Sequence, residues 1–224
     1  MNWVVAKYKL IAGVDDAGRG PVIGPLVIAG VAVPEGRLNA LANLGVKDSK
    51  MLSPRVRRRL ASLIRHLATR VSVRVVDPET IDKAVMRVSY KGLNHLEAAY
   101  VAEVIGEMRP HVAYVDSPDI RPERFRVMVL KLLPAELRGL KLVCENKADQ
   151  RYAVVAAASI IAKEVREEEV RRLKAEFGDF GSGYPADPRT VRFLREYYRR
   201  WGDLPPIVRR TWSTVRKLLS GGLA

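Results

Sequence analysis

"GVDDAGRGPVIGPLVIAGV", residues 13–31, decides how the rest of the chain is read. Two apolar runs, roughly residues 9–14 and 22–33, flank a short segment holding two adjacent acids, an arginine, a proline and two glycines. The runs read as two strands joined by a Gly-containing connection, most simply as antiparallel neighbours. Side chains of a regular strand alternate between its faces. Asp15 and Asp16 therefore share a site only if the chain bends there, and Gly18 and Gly20 permit a bend.

Further strands follow outward from this pair. "VSVRVV" (71–76) alternates with period two, "HVAYVD" (111–116) carries an acid at its carboxyl end, and "LKLVCE" (140–145) is a fifth. Helical signals lie between them. Ser53 before Pro54 is an N-cap with proline in the first turn, and Val56, Leu60, Leu63, Ile64 and Leu67 recur at helical spacing. "GLNHLEAAYVAEVIGEM" is a second helix, stopped by Pro110. Residues 151–178 read as one long helix, small and apolar first, charged later, so its first half belongs in a core. Beyond Gly178 the composition turns to Gly, Pro and Asp. Asp187 and Pro188 then open a basic helix, and a basic tail follows. These features predict an α/β domain over 1–180, with a mixed central sheet flanked by helices. A small, basic, helical extension over 181–224 follows it.

The totals narrow the function. Thirty-nine Lys and Arg against 25 Asp and Glu give a formal net charge of +14, and a basic surface attracts polyanions, nucleic acid first among them. The single cysteine, Cys144, excludes an intramolecular disulfide and fits a reducing, cytoplasmic setting. No apolar run reaches membrane-spanning length, so no membrane role is expected.

Four acids stand out by position. Asp15 and Asp16 follow the first strand, Asp116 ends "HVAYVD", and Asp149 precedes the long helix in "ENKADQ". Each has a plain structural reading: Asp149 as a helix cap, Asp116 as a turn former before Ser117–Pro118. Taken together they sit where sites are commonly built, at strand ends. Clustered carboxylates are tolerated when protonated, paired or bridged by cations. Hard oxygen donors without His or Cys point to Mg²⁺ or Mn²⁺, and metal-assisted phosphodiester cleavage is the chemistry that follows.

Six ordered stretches carry a resemblance over nearly the whole chain. They are residues 13–31, "GVKDSKMLSP" (45–54), "AYVDSPDIRPERF" (113–125), "ENKADQRYAVVAAASIIAKEVRE" (145–167), "FGDFGSGYPADPRTVRFL" (177–194) and "VRRTWSTV" (208–215). The chain resembles the ribonuclease HII family of the archaeal kind. The resemblance implies a ribonuclease-H-like fold. It implies hydrolysis of the RNA strand of RNA/DNA hybrids and nicking of duplex DNA 5′ to an embedded ribonucleotide, with 5′-phosphate and 3′-hydroxyl ends. By motif, it makes Asp15, Asp16, Asp116 and Asp149 the catalytic and metal-binding acids. It makes Gly18, Arg19, Gly20 and Tyr184 the readers of the RNA–DNA junction, with Lys47 and Lys50 as phosphate contacts. It also implies a monomer.

One position departs from the resembled pattern, which has Asp-Glu where this chain has Asp15-Asp16. The shorter Asp16 leads us to expect an active enzyme, slower or more Mn²⁺-dependent than its Asp16→Glu variant, with a hybrid-binding protein that no longer cuts as the alternative. Arg19 is expected to fork onto a phosphate, and Arg209, Arg210, Arg216 and Lys217 to grip the duplex backbone. The tail "LLSGGLA" shows no aromatic sliding-clamp peptide.

Overall fold

The computed structural model describes residues 8–46 and 52–221. Among these, five strands form one mixed sheet, β1 (Leu10–Ala17), β2 (Leu26–Pro34), β3 (Arg70–Val76), β4 (Val112–Asp116) and β5 (Lys141–Glu145), in the order β3-β2-β1-β4-β5. β1 and β4 are parallel, as are β4 and β5. Parallel neighbours need crossovers, and helices make them. The helices are α1 (Leu38–Asn43), α2 (Pro54–Leu67), α3 (Pro78–Val85), α4 (Leu93–Met108), α5 (Pro122–Leu132), α6 (Ala148–Arg151), α7 (Ala153–Phe177), α8 (Pro188–Trp201) and α9 (Ser213–Leu219).

All five expected strands form, and β1 and β2 are neighbours in the sheet. β2 starts at Leu26 rather than 22, because Val22 and Ile23 donate to the Gly183 carbonyl and Ile23 bridges Val208. Their backbone groups are taken before the sheet can use them. Ser53 caps α2, its side chain accepting from the Val56 N–H. α3 and α5 escape the periodicity reading. α3 carries a local signal, Asp77 accepting from the Thr80 N–H ahead of Pro78.

The expected long helix is two helices. α6 stops at Arg151, Tyr152 is extended, and α7 begins at Ala153. Tyr152 stacks on Tyr114 with centroids 4.2 Å apart, and its hydroxyl hydrogen-bonds Glu145 at 3.1 Å. These side-chain contacts hold the break. The first turns of α7 are buried, from Val154 to Ala158 and from Ile160 to Ala162. They lie so close to β1 that a Cβ on Gly13 would sit 2.3 Å from the Val154 carbonyl carbon. Only glycine fits there.

The chain divides into two compact units. One holds residues 1–16, 28–74 and 98–164, hence nearly all of the sheet. The other gathers 17–27, 75–97 and 165–224. The second unit is thus assembled from three separated segments, one of which begins inside α7. It has its own apolar core, in which Val22 and Ile23 pack with Phe180, Leu194, Ile207, Val208 and Val215.

Candidate active site

Asp15 and Asp116 each follow the rung that pairs Val14 with Val115, so two adjacent parallel strands deliver an acid to the same edge. Carboxyl ends of parallel strands are the usual place for a site in such sheets. β1 stays a strand through Ala17, so the bend expected at the two acids comes after them. Alternation holds: Asp15 is buried, while Asp16 is half-buried.

Three of the four acids share one electrostatic environment. Burial, then the charges of Asp16 and Asp116, push the Asp15 carboxyl well above the usual carboxylate range. A Ser159 side-chain hydrogen bond and the Asp16 N–H, 2.7 Å from Asp15 Oδ1, work against that rise. Sequence reading missed Ser159; its placement one α7 turn beyond the close approach at Gly13 is visible only in the fold. Asp116 Oδ1 accepts from the Ala148 N–H at 2.8 Å. That bond ties the acid of β4 to the turn that carries the fourth acid.

Asp149 lies inside the first turn of α6 and is buried, so it is not the helix cap that its sequence position suggests. The residue before the helix is Lys147, in the left-handed region at φ 58°. Nor is Asp116 the turn former at the end of β4. There the Ser117 N–H donates to the Glu145 carbonyl, and Asn146 Nδ2 donates to the Ser117 and Asp119 carbonyls.

Hard oxygen donors that repel one another suit a divalent cation. Among the described residues, no group of three or more acid, His or Cys side chains closes around an ion as they stand. Asp15, buried and beside the charges of Asp16 and Asp116, is where a cation would offset both the burial and the repulsion of a carboxylate.

In the second unit, the loop after β1 and the loop before α8 are laced together. Beyond the two Gly183 bonds, a Cβ on Gly20 would lie 3.4 Å from Tyr184 Cε1. Gly20 and Tyr184 are therefore brought together. Tyr184 is 44% exposed, and the Arg166 guanidinium sits 5.7 Å from its ring centroid. Gly18 has φ +95°, and a Cβ there would strike Arg166 Nε at 2.4 Å.

Two expectations need correction. Arg19 does not present an open fork: one terminal nitrogen meets Glu97, the other donates to Asn94 Oδ1 at 2.8 Å. Burial outweighs the nearby Arg19 charge and pushes the Glu97 carboxyl up to about 7. Arg209 does not grip a duplex, because it is 0% exposed. It donates from Nη2, Nη1 and Nε to the carbonyls of Gly18, Arg19 and Gly24, at 2.6, 3.0 and 3.0 Å. Burial lowers it to about 9, still protonated at neutral pH. Arg210 is paired with Asp203. Lys47 and Lys50 lie outside the described residues.

Residues 12–215 match the family described as Ribonuclease HII. This chain belongs to the ribonuclease HII family. A Ribonuclease HII from Thermofilum pendens is 50% identical over 212 residues, covering 93% of this chain and 98% of that one. The crystal structure of the ribonuclease H2 from Pyrococcus horikoshii OT3 is similar at a TM-score of 0.87 and 43% identity, covering 95% and 98% of the two chains. The structure of the PCNA:RNase HII complex from Archaeoglobus fulgidus is similar at 0.81 and 48%, covering 92% and 94%. Membership sets the fold as ribonuclease-H-like and the activity as that of a ribonuclease H, an endonuclease hydrolysing RNA in RNA/DNA hybrids. The family depends on divalent metal ions.

Proposed function

We propose that Asp15, Asp16, Asp116 and Asp149 hold the divalent cations for this hydrolysis, Mg²⁺ or Mn²⁺. The loop Gly18–Gly20 with Tyr184 then selects the ribonucleotide. The observation that carries the reading is the convergence at one sheet edge: Asp15 and Asp116 follow the same rung of adjacent parallel strands, with Asp16 next in the chain, and Asp116 is bonded to the turn that holds Asp149. A divalent cation there supplies Lewis-acid stabilisation of charge developing on the phosphodiester. The chain's residues do the rest. Ser159 and the Asp16 N–H orient Asp15, and the Ala148 N–H fixes Asp116. A water oxygen forms the new P–O bond, the P–O3′ bond breaks, and the 3′ oxygen leaves and takes a proton. The products carry 5′-phosphate and 3′-hydroxyl ends, and the 2′-hydroxyl serves recognition, not attack.

The substrates are RNA/DNA hybrids and DNA duplexes with embedded ribonucleotides, nicked on the 5′ side. Exposed arginines of α8, with the extension 181–224 around them, supply the basic surface for the duplex backbone. Family membership favours this over a binder that has lost cleavage. A sliding-clamp partner rests on the Archaeoglobus relative's PCNA complex, and a monomer on the family resemblance alone. The decisive assay is cleavage of a DNA duplex with one ribonucleotide, with Mg²⁺, Mn²⁺ or EDTA, beside an all-DNA duplex and an Asp116→Asn variant. A metal-dependent nick 5′ to the ribonucleotide, absent in the variant, is expected. A 2′,3′-cyclic phosphate product, or cleavage in EDTA, overturns the reading.

A further inference from the structure

The loop after β1 is held by its carbonyls. Arg209 receives those of Gly18, Arg19 and Gly24 on three different nitrogens of one guanidinium. The backbone N–H of Arg209 donates to the Val22 carbonyl at 2.8 Å, and Trp212 Nε1 donates to the Gly20 carbonyl at 3.2 Å. Trp212 also lies under the guanidinium, 5.0 Å from its Cζ to the ring centroid. Burying a charged guanidinium is costly unless hydrogen bonds satisfy it. Here all three nitrogens point at one loop.

Peptide planarity gives this clamp a consequence. In a trans peptide the N–H points opposite to the C=O of the same unit. The Gly18 carbonyl turned toward Arg209 sends the Arg19 N–H the other way, and the Arg19 carbonyl does the same to the Gly20 N–H. The next unit ends in Pro21, which has no N–H to orient. Among the described residues, neither the Arg19 nor the Gly20 N–H donates to a backbone carbonyl. Two consecutive donors therefore stand side by side, turned away from the guanidinium, beside the Tyr184 ring.

We infer that Arg209 is the positioning residue for ribose recognition: by drawing in the carbonyls of Gly18 and Arg19, it presents the Arg19 and Gly20 N–H groups to the 2′-oxygen of a ribonucleotide. The inference rests on the reading of this loop as the ribonucleotide sensor. It also assigns the Arg19 side chain a supporting role, as a latch to Glu97 and Asn94 rather than a substrate contact.

The test is a thermodynamic cycle between Arg209 and the 2′-hydroxyl. Binding of two duplexes, identical but for one ribonucleotide against its deoxynucleotide, is measured in EDTA by fluorescence anisotropy. The native protein, Arg209→Lys and Trp212→Phe are compared, with melting curves for each. Lysine keeps the charge but has no fork. The native protein is expected to prefer the ribonucleotide. In Arg209→Lys that preference falls by about tenfold, in line with the cost of a misplaced recognition group, while affinity for the all-DNA duplex holds. Trp212→Phe, which removes the Gly20 carbonyl's donor and shrinks the ring under the Arg209 guanidinium, loosens the clamp and lowers the preference by a smaller factor, and it decides alone if Arg209→Lys does not fold. A purely structural role weakens both duplexes alike and leaves their ratio at the native value; that result in the folded variants overturns the inference. If the native protein itself fails to discriminate, the sensor reading of the loop falls and the inference falls with it.

Discussion

Asp116 serves two purposes with one carboxylate: it faces the acid cluster and it receives the Ala148 N–H. The two are separable. Asp116→Asn keeps an acceptor for Ala148 while removing the charge, so cleavage should fall by about 10²-fold or more with the melting temperature unchanged. Asp116→Ala should cost about 1 kcal/mol of stability in addition, as loss of a capping acceptor does. Denaturation and single-turnover assays on the pair check both statements. Asp15 carries a pH prediction. Its carboxyl is raised in the metal-free protein by burial and then by the charges of Asp16 and Asp116, so a cation competes with a proton there over a wider pH range than at an ordinary carboxylate. Apparent Mg²⁺ or Mn²⁺ affinity should therefore rise with pH, with proton release visible by calorimetry in buffers of different ionisation heat. Ser159→Ala, which removes a bond that lowers the Asp15 carboxyl, should weaken metal binding most at low pH; equal weakening at every pH would refute it. Asp16→Glu should raise the rate in Mg²⁺, and unchanged rates in both metals would show that the missing methylene is immaterial.

Elements matter here through how closely they approach. α7 lies against β1 at Gly13, where a Cβ would strike backbone rather than a movable side chain. Gly13→Ala should therefore destabilise by about 1–3 kcal/mol, the range for overpacking a core, read from urea denaturation; a neutral result would mean the helix can withdraw freely. In the second unit, the first two turns of α4 supply Asn94 and Glu97 to Arg19. Glu97 is raised from 4.5 to about 7 by burial. An acid with a raised folded-state value binds more protons folded than unfolded between those two values. Stability thus falls as pH rises through that window and is flat above it. The stability difference between the native protein and Glu97→Gln should accordingly change between pH 4.5 and pH 7 and level off beyond. A constant difference across the window would rule it out.

At the scale of the molecule, charge and assembly set the terms. The net charge of +14 makes duplex binding steeply salt-dependent. Cutting off the tail would be a poor test of its role, because Arg209 and Trp212 are built into the loop after β1. Replacing exposed α8 arginines is cleaner. Arg192→Gln with Arg199→Gln should reduce the slope of log affinity against log salt by about 0.9 for each phosphate no longer neutralised, with the ribonucleotide preference intact. An unchanged slope would move the duplex track elsewhere.

The sequence by itself determined the strands, the capped start of α2, the net positive charge, and the family. Each of these is written in short-range pattern: alternation, cap residues, charge totals and contiguous motifs. Only the tertiary structure decided what those residues do to one another. The break at Tyr152 depends on Tyr114 and Glu145, the side-chain hydrogen bond at Asp15 on Ser159 in α7, and the reversal of Arg209 from expected duplex contact to buried clamp on carbonyls about 190 residues earlier. A local pattern records which backbone groups a residue can satisfy nearby. It does not record which distant carbonyls will be left needing a donor, and a long cationic side chain goes where those carbonyls are.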